Sequence, residues 1–450
     1  MTSGTPGASR TRGDAPPPPR PPDALPPARA IGQGSAMTDP RPAIDRIVTL
    51  DVVRGVAVMG ILFVNILGFA LPDAARLSPR AWGLERPADL WAYAMTMVAF
   101  DGKMRGLFSF LFGASLLLVV DRAQAGGADP AAVHSRRMAW LFVLGLGHAT
   151  LLWSGDILMH YALVGAVAYT LRRLSVRRMV AFGILFAAIT WLFLGSIVLS
   201  YHAMEAARTP AAIQGLRDVE NGFGIPAPAL LAGEIALFRG SYAGIFHHNA
   251  GELPTTLFNV LFIGFETLGY MLFGMAALRS GMLTGAWPRH RLRRWAATGI
   301  GIGAAGHGGL ALWMFSRGLD TGAILAGAFA MAPPLRAILI PGYAAAILLL
   351  ARPGGAIAAR LAAVGRMALS NYLASSIVMC FVFYGWGLGQ FGRWPRAALY
   401  LPVLAMCGLM LAWSAPWLAR YRYGPFEWLW RSLARWQWQT LRVRSSVPLR

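Results

Sequence analysis

Ten apolar segments, at 52–71, 104–120, 137–153, 156–171, 178–200, 256–278, 295–315, 322–350, 369–389 and 397–418, set what this chain can fold into. Most approach the ~20 residues that a helix needs to cross ~30 Å of hydrocarbon. The runs are continuous and do not alternate, which selects helices over barrel strands, because in lipid each backbone N–H and C=O must be satisfied within its own structure. Composition agrees: 56% of the 450 residues are hydrophobic and 14% are charged, against about 25% charged in a soluble domain. Such a chain cannot cover a water-facing surface. Soluble enzymes, disordered proteins and disulfide scaffolds are excluded, and an all-α polytopic membrane protein of about ten spans (nine to eleven) is expected. The two cysteines, Cys380 and Cys407, lie in apolar runs with no CxxC spacing, so no metal site is expected of them.

The formal charge of +21 comes almost wholly from arginine, Lys103 being the single lysine. A nucleic-acid partner would need a soluble basic face. Here the arginines sit in short loops between apolar spans, and the bilayer is the expected partner. With the N-terminus inside, the inner segments, such as those holding Arg122, Arg136 and Arg137 or Arg172, Arg173, Arg177 and Arg178, carry about twice the basic residues of the outer ones, which predicts N-in and C-in. Residues 88–100 are read as an interfacial or re-entrant helix leading into the second span. Gly68-Phe69-Ala70 resembles a cleavage site, but Asp51, Arg54 and Asn65 spoil a secretory core, so the first span is expected to be retained.

Three domains follow. Residues 1–40 form an extension rich in proline, including Pro16–Pro19, whose composition predicts disorder. Met37 is an alternative start. Residues 45–420 hold the spans, with an outer loop at 201–255 that is expected to fold into short helices as a cap. The tail, 421–450, mixes Trp428, Trp430, Trp436 and Trp438 with Arg431 and Arg435, which suits a helix at the inner interface.

Ionisable groups inside hydrocarbon are costly and mark function. Arg54 and Asn65, eleven residues apart, fall on one helical stripe. They read as a phosphate-holding arginine with an amide further in, or as an Asp51–Arg54 pair anchoring the helix. Asp101-Gly102-Lys103 places acid and base at the outer edge of the second span, as a reactive lysine or a snorkelling one. The hairpin His148 to Tyr161 holds His148, Asp156 and His160. Asp156 and His160, at i and i+4, share a face as a general-base pair would. A metal site, or a helix cap with bundle-bonded histidines, would use the same residues. Glu266, His307 and Arg336 sit near the middles of separate spans, as a buried pair or a polar path. Ser370, Asn371 and Tyr372, just after Arg366, enter the ninth span from inside, where they cap the helix or face a donor. Gly301-Ile302-Gly303-Ala304-Ala305-Gly306 matches GxGxxG, but no strand precedes it, and small residues for close helix packing explain it better.

Several motifs in order resemble the YeiB-like family of bacterial multi-pass inner-membrane proteins, a domain of unknown function. They are Leu50-Asp51-Val52-Val53-Arg54-Gly55 through Asn65, Phe100-Asp101-Gly102-Lys103 with Leu107-Phe108-Ser109-Phe110-Leu111-Phe112-Gly113, and Gly147-His148 through Leu158. Gly365-Arg366-Met367-Ala368-Leu369-Ser370-Asn371-Tyr372-Leu373 and Gly424-Pro425-Phe426-Glu427-Trp428 complete the set. The resemblance implies a bacterial inner (plasma) membrane location. It extends distantly to transmembrane acyltransferases, in one branch of which the first span carries Arg, ten residues, then His. Here the second position is Asn65, which cannot act as a base. The expectation is acyl transfer from cytoplasmic acyl-CoA, bound near Arg54, Asn65, Arg366 and Asn371, to an envelope sugar or lipid acceptor. His148 or His160, backed by Asp156, serves as base, with Asp101 and Lys103 at the acceptor or oxyanion. A transporter of a small or lipid-linked solute, using Glu266, His307 and Arg336, and a non-catalytic scaffold are the alternatives.

Overall fold

The computed structural model describes residues 41–351 and 354–443, besides Met1 and Gly4. The rest of the 1–40 extension, with the alternative start at Met37, and the last seven residues of the tail lie outside the described residues. Among the described residues the chain is helical, and its one β pairing is an isolated bridge between Tyr421 and Arg442. Helices α1 (Arg41–Ala70), α2 (Ala74–Leu77) and α3 (Pro87–Met95) lead to α4 (Lys103–Ala125). A hairpin of α5 (Pro130–Leu151) and α6 (Leu158–Thr170) precedes the long α7 (Val176–Ala207). Then come the short α8 (Pro210–Phe223), α9 (Pro228–Phe238) and α10 (Tyr242–Gly251). The second half contains α11 (Leu253–Arg279), α12 (Arg289–Ser316), α13 (Thr321–Leu325), α14 (Ala332–Leu350), α15 (Ala356–Arg366), α16 (Ala368–Phe383), α17 (Tyr400–Arg420) and α18 (Pro425–Arg435).

The protein is an all-α polytopic membrane protein. Among the described residues seven helical runs are long and apolar enough to cross a bilayer, and α15 with α16, bent by 77°, makes an eighth if the pair is one span. Each of the ten expected segments is helical, but length and polarity divide them. Helix α6 has 13 residues, about 20 Å, short of the hydrocarbon thickness. Helix α5 carries Arg136 and Arg137 in its N-terminal part, and α12 begins with a basic run, Arg289–Arg294. Conversely, Pro210–Phe238 passes the test of length and hydropathy, although the sequence reading leaves it in the 201–255 loop. There α8, α9 and α10 are indeed short, and residues 224–227 break the run. Residues 88–100 form α3 and a π-helical turn, Thr96–Phe100, that leads into α4. The join needs Gly102, whose φ of +68° suits a residue without Cβ and whose missing side chain makes room for Arg336.

Glycine sets how closely the helices approach. A methyl on Gly274 of α11 would fall on the Phe110 carbonyl oxygen of α4, and one on Gly113 of α4 on the Met271 carbonyl oxygen. Between α1 and α15, Gly55 faces Leu361 and Gly365 faces Asp51 in the same way. In membranes such contacts stand in for the hydrophobic drive that lipid does not provide. Gly303 and Gly306 of the GxGxxG match pack against Leu339 and Leu335 of α14, as small-residue packing requires. Gly274→Ala is expected to force α4 and α11 apart at the centre of the bundle. The yield of monodisperse protein in detergent checks this, with Gly147→Ala, where a methyl meets nothing within 4 Å, as the silent control.

The tail carries a helix, α18. Trp436 and Trp438 are exposed at 71% and 69%, but α18 docks into the bundle through Glu427. This buried carboxylate accepts the Leu369 and Ser370 N–H groups, at 2.7 and 3.1 Å, and the Ser370 hydroxyl. It thereby caps α16 from a distant segment, satisfying N–H groups that a helix start leaves unpaired. Burial pushes the Glu427 carboxyl above its ordinary range, against the pull of those hydrogen bonds. The Trp430 indole donates to the Arg137 carbonyl at 2.9 Å, and the Arg137 guanidinium lies 4.2 Å from its ring centre.

Candidate functional site: a basic cavity and a buried His–Asp pair

Docking of α18 closes one side of a cavity of about 350 Å³ between α1, α4, α5, α6, α16 and the tail. Its mouth carries Arg54, Arg122, Arg137, Arg366, Arg422 and Arg431, with His134, against the carboxylates of Asp51 and Glu427. Six guanidiniums facing two acids make a field that favours an anion, and guanidinium geometry suits phosphate. Arg54 is braced by Asp51 at 2.7 Å and Ser115 at 2.9 Å. The expected Asp51–Arg54 anchor and a cavity-lining role therefore coexist in one side chain. Arg366, exposed, reaches the Arg422 carbonyl at 3.5 Å.

Beyond the mouth the lining turns apolar, with Val58, Ile61, Leu111, Phe112, Leu141 and Leu158. Along α4 it extends from Arg122 to Phe108, about 20 Å at 1.5 Å per residue. The inner end is made by Tyr161, Ile157 and Tyr372. Tyr161 is fixed by Ser109 at 3.0 Å and by the Arg105 carbonyl at 3.1 Å.

Behind that end lies the His148–Asp156 pair. Ile157 and Leu158, which follow Asp156 in the chain, line the cavity, and so does Tyr372, whose ring centre is 5.1 Å from that of His148. Asp156 Oδ1 is 2.9 Å from His148 Nδ1, and Oδ2 accepts the Met159 N–H at 2.8 Å. Both side chains are buried, at 1% and 0% exposure. An ionised carboxylate can only accept, so Nδ1 carries a proton, and in the neutral ring Nε2 then presents a lone pair. Among the described residues that buried Nε2 has no hydrogen-bond partner. A carboxylate fixing the tautomer of an imidazole with a free Nε2 is the geometry of a general base. Capping of α6 and orientation of His148, alternatives on the sequence, are both performed by Asp156.

The other expected site residues are dispersed. His160 makes no hydrogen bond to Asp156 among the described residues; Asp156 bonds His148 and Met159, and His160 Nε2 lies 2.8 Å from Thr267 Oγ1. Asn65 continues the Arg54, Val58, Ile61 stripe one turn past the cavity lining. Asn371 does not line the cavity. It is fully buried and committed to the Val364 carbonyl, Ser414 and Trp413 at 3.2, 3.2 and 2.8 Å. Asp101 and Lys103 line a separate, smaller cavity together with His307, and so do not join the His148 pair. Glu266 is clamped between Arg105 at 2.6 Å and Arg336 at 3.6 Å, and Tyr270 donates to it at 3.0 Å. His307 is not part of that cluster; its Nδ1 is 2.7 Å from the Gly303 carbonyl. Tyr372, read from the sequence as capping the ninth span or facing a donor, lines the cavity, whereas Arg122, Arg137, Arg431 and Tyr161 were not read as cavity residues. The arginines had registered only as orientation signals, and the tyrosines lie within or beside motifs already noted. No group of three or more metal-ligating side chains occurs among the described residues.

Fold and cavity define a multi-pass helical membrane protein with an internal, arginine-mouthed chamber. Residues 277–437 match the family described as "Protein of unknown function (DUF418)". Over 402 residues the chain is 33% identical to "Uncharacterized protein YeiB" of Escherichia coli (strain K12), covering 87% of this chain and 96% of that one. Over 414 residues it is 30% identical to "Uncharacterized protein YxaH" of Bacillus subtilis (strain 168), covering 90% and 98%. The chain belongs to this DUF418, or YeiB-like, family. No solved structure matches it.

Proposed function

We propose that the protein is an acyltransferase of the bacterial inner membrane, which takes an acyl group from cytoplasmic acyl-CoA and passes it to a hydroxyl or amine of an envelope sugar or lipid. The observation that carries the reading is the cavity itself. An arginine mouth leads into an apolar slot that ends one ring away from a free imidazole nitrogen. Such a slot suits a phosphorylated donor whose acyl arm enters an apolar interior, with Arg54 and Arg366 among the guanidiniums at its phosphates. His148 Nε2 takes the proton from the acceptor oxygen or nitrogen as that atom bonds to the acyl carbon. The thioester C–S bond breaks, and the departing thiolate receives the proton. Asp156 stabilises the imidazolium in between.

The transport alternative used Glu266 as a proton relay. Its two ion pairs favour a fixed structural role instead. The test compares envelope lipids and glycans by mass spectrometry in a deletion strain and in strains complemented with wild type or Asp156→Asn. An acyl-sized mass restored by wild type and not by the well-expressed variant is expected. Identical profiles in all strains would contradict the reading.

A further inference from the structure

Away from the arginine-mouthed chamber, a second cavity of about 40 Å³ is lined by Lys103, His307, Asp101 and Arg76 on a wall of Val64, Leu67 and Met314. At 10–15 Å³ per water, it has room for about three waters or an equivalent pair of hydroxyl groups. Its polar groups are incompletely used. Lys103 is 1% exposed, donates to the Met97 carbonyl, and makes no ion pair with a carboxylate within 4 Å among the described residues. An ammonium offers three donors, so the cavity leaves donor capacity unfilled. His307 is 0% exposed, and its Nε2 has no hydrogen-bond partner among the described residues. Its Nδ1 faces the Gly303 carbonyl at 2.7 Å, which can only accept. The proton therefore sits on Nδ1, and Nε2 is an acceptor. Asp101 adds a second acceptor. Arg76, half exposed and held loosely to Asp73 at 3.5 Å, marks the open rim.

A donor from Lys103 beside acceptors from His307 and Asp101 does not match a simple anion, which needs donors alone. It matches a group that accepts and donates at once. We propose that this cavity is a separate binding site for the edge of a sugar or similar polyol, one hydroxyl accepting from the Lys103 ammonium and donating to His307 Nε2, its neighbour facing Asp101. The inference rests on the acyl-transfer reading only in making that polyol the acceptor. The site itself stands on the cavity.

Saturation-transfer NMR on the full chain in lipid nanodiscs, free of glycoside detergents, tests it with methyl α-glucoside as probe and sodium acetate as the anionic comparison. Wild type is expected to give a saturable glucoside signal that falls several-fold in both Lys103→Met and His307→Phe, and no comparable acetate signal. Asp101→Asn supplies the same test should either variant fail to fold. Stabilisation by acyl-CoA is expected to persist in Lys103→Met, so loss of sugar binding and failure of the donor site are read separately. An absent glucoside signal in wild type, one undiminished in the variants, or acetate binding in its place would overturn the proposal.

Discussion

Glu266→Ala is expected to be the most damaging single substitution in the bundle interior. The carboxylate is 4% exposed and lies between Arg105 and Arg336 with Tyr270 donating to it. Removing it leaves two guanidiniums facing each other away from water, and loss of one partner from a buried ionic cluster costs about 3–5 kcal/mol. Arg105 also donates to Thr267, and its carbonyl accepts from Tyr161 at the end of the large cavity, so the damage is expected to reach the chamber. Thermal unfolding in nanodiscs checks the size of the effect. The paired experiment replaces the whole cluster, Arg105→Met, Glu266→Leu and Arg336→Met together. That variant is expected to regain most of the lost stability, because the penalty comes from uncompensated charge and not from lost volume. If Glu266→Ala unfolds like wild type, the cluster is not structural and the relay reading regains its ground.

Asp156→Ala is expected to act on stability and on chemistry together. It removes the acceptor of the Met159 N–H and the partner of His148, both buried. Hydrogen bonds to a charged group contribute about 1.5–3 kcal/mol each, so a loss of roughly 3 kcal/mol or more follows. Acyl transfer is expected to fall by about 10²- to 10⁴-fold, the usual span for a positioned base. Asp156→Asn keeps the shape and separates the two effects. Its amide oxygen still accepts from Met159, so most stability returns, while its NH2 faces His148 Nδ1, which moves the ring proton to Nε2 and keeps transfer low. Unfolding midpoints and rates with labelled acyl-CoA distinguish these outcomes. His160→Ala, by contrast, is expected to spare the rate, because His160 bonds Thr267 and not Asp156.

The spans were legible because apolar length is a one-dimensional property. Where the structure departs, as in the 13-residue α6 and the Pro210–Phe238 run, the segments are short or broken and the signal is weak. Pairing within the site was harder to read. Spacing put Asp156 and His160 on one face, yet the turn at residues 152–157 brings the carboxylate back to His148. That choice belongs to loop geometry, which spacing does not encode. Arg54 and Arg366, named together from the sequence, line one space because both stand at the same end of the spans. Asn371, named with them, does not, since its fate depends on Ser414 and Trp413 more than 40 residues away. The tail's tryptophans were visible, but the tertiary cap made by Glu427 depends on α16 meeting α18.

The central claim is that the arginine-mouthed chamber holds a phosphorylated acyl donor. Its most direct test is a binding titration of acetyl-CoA and a longer-chain acyl-CoA against the protein in nanodiscs, for wild type and for the Arg54→Gln, Arg366→Gln double variant. The account predicts saturable binding to wild type that weakens at raised salt, as charge-based contacts do. In the double variant affinity should fall by about tenfold or more per arginine, 1.4 kcal/mol being one factor of ten. Equal affinity in the two proteins, or no binding to wild type at millimolar donor, would contradict it.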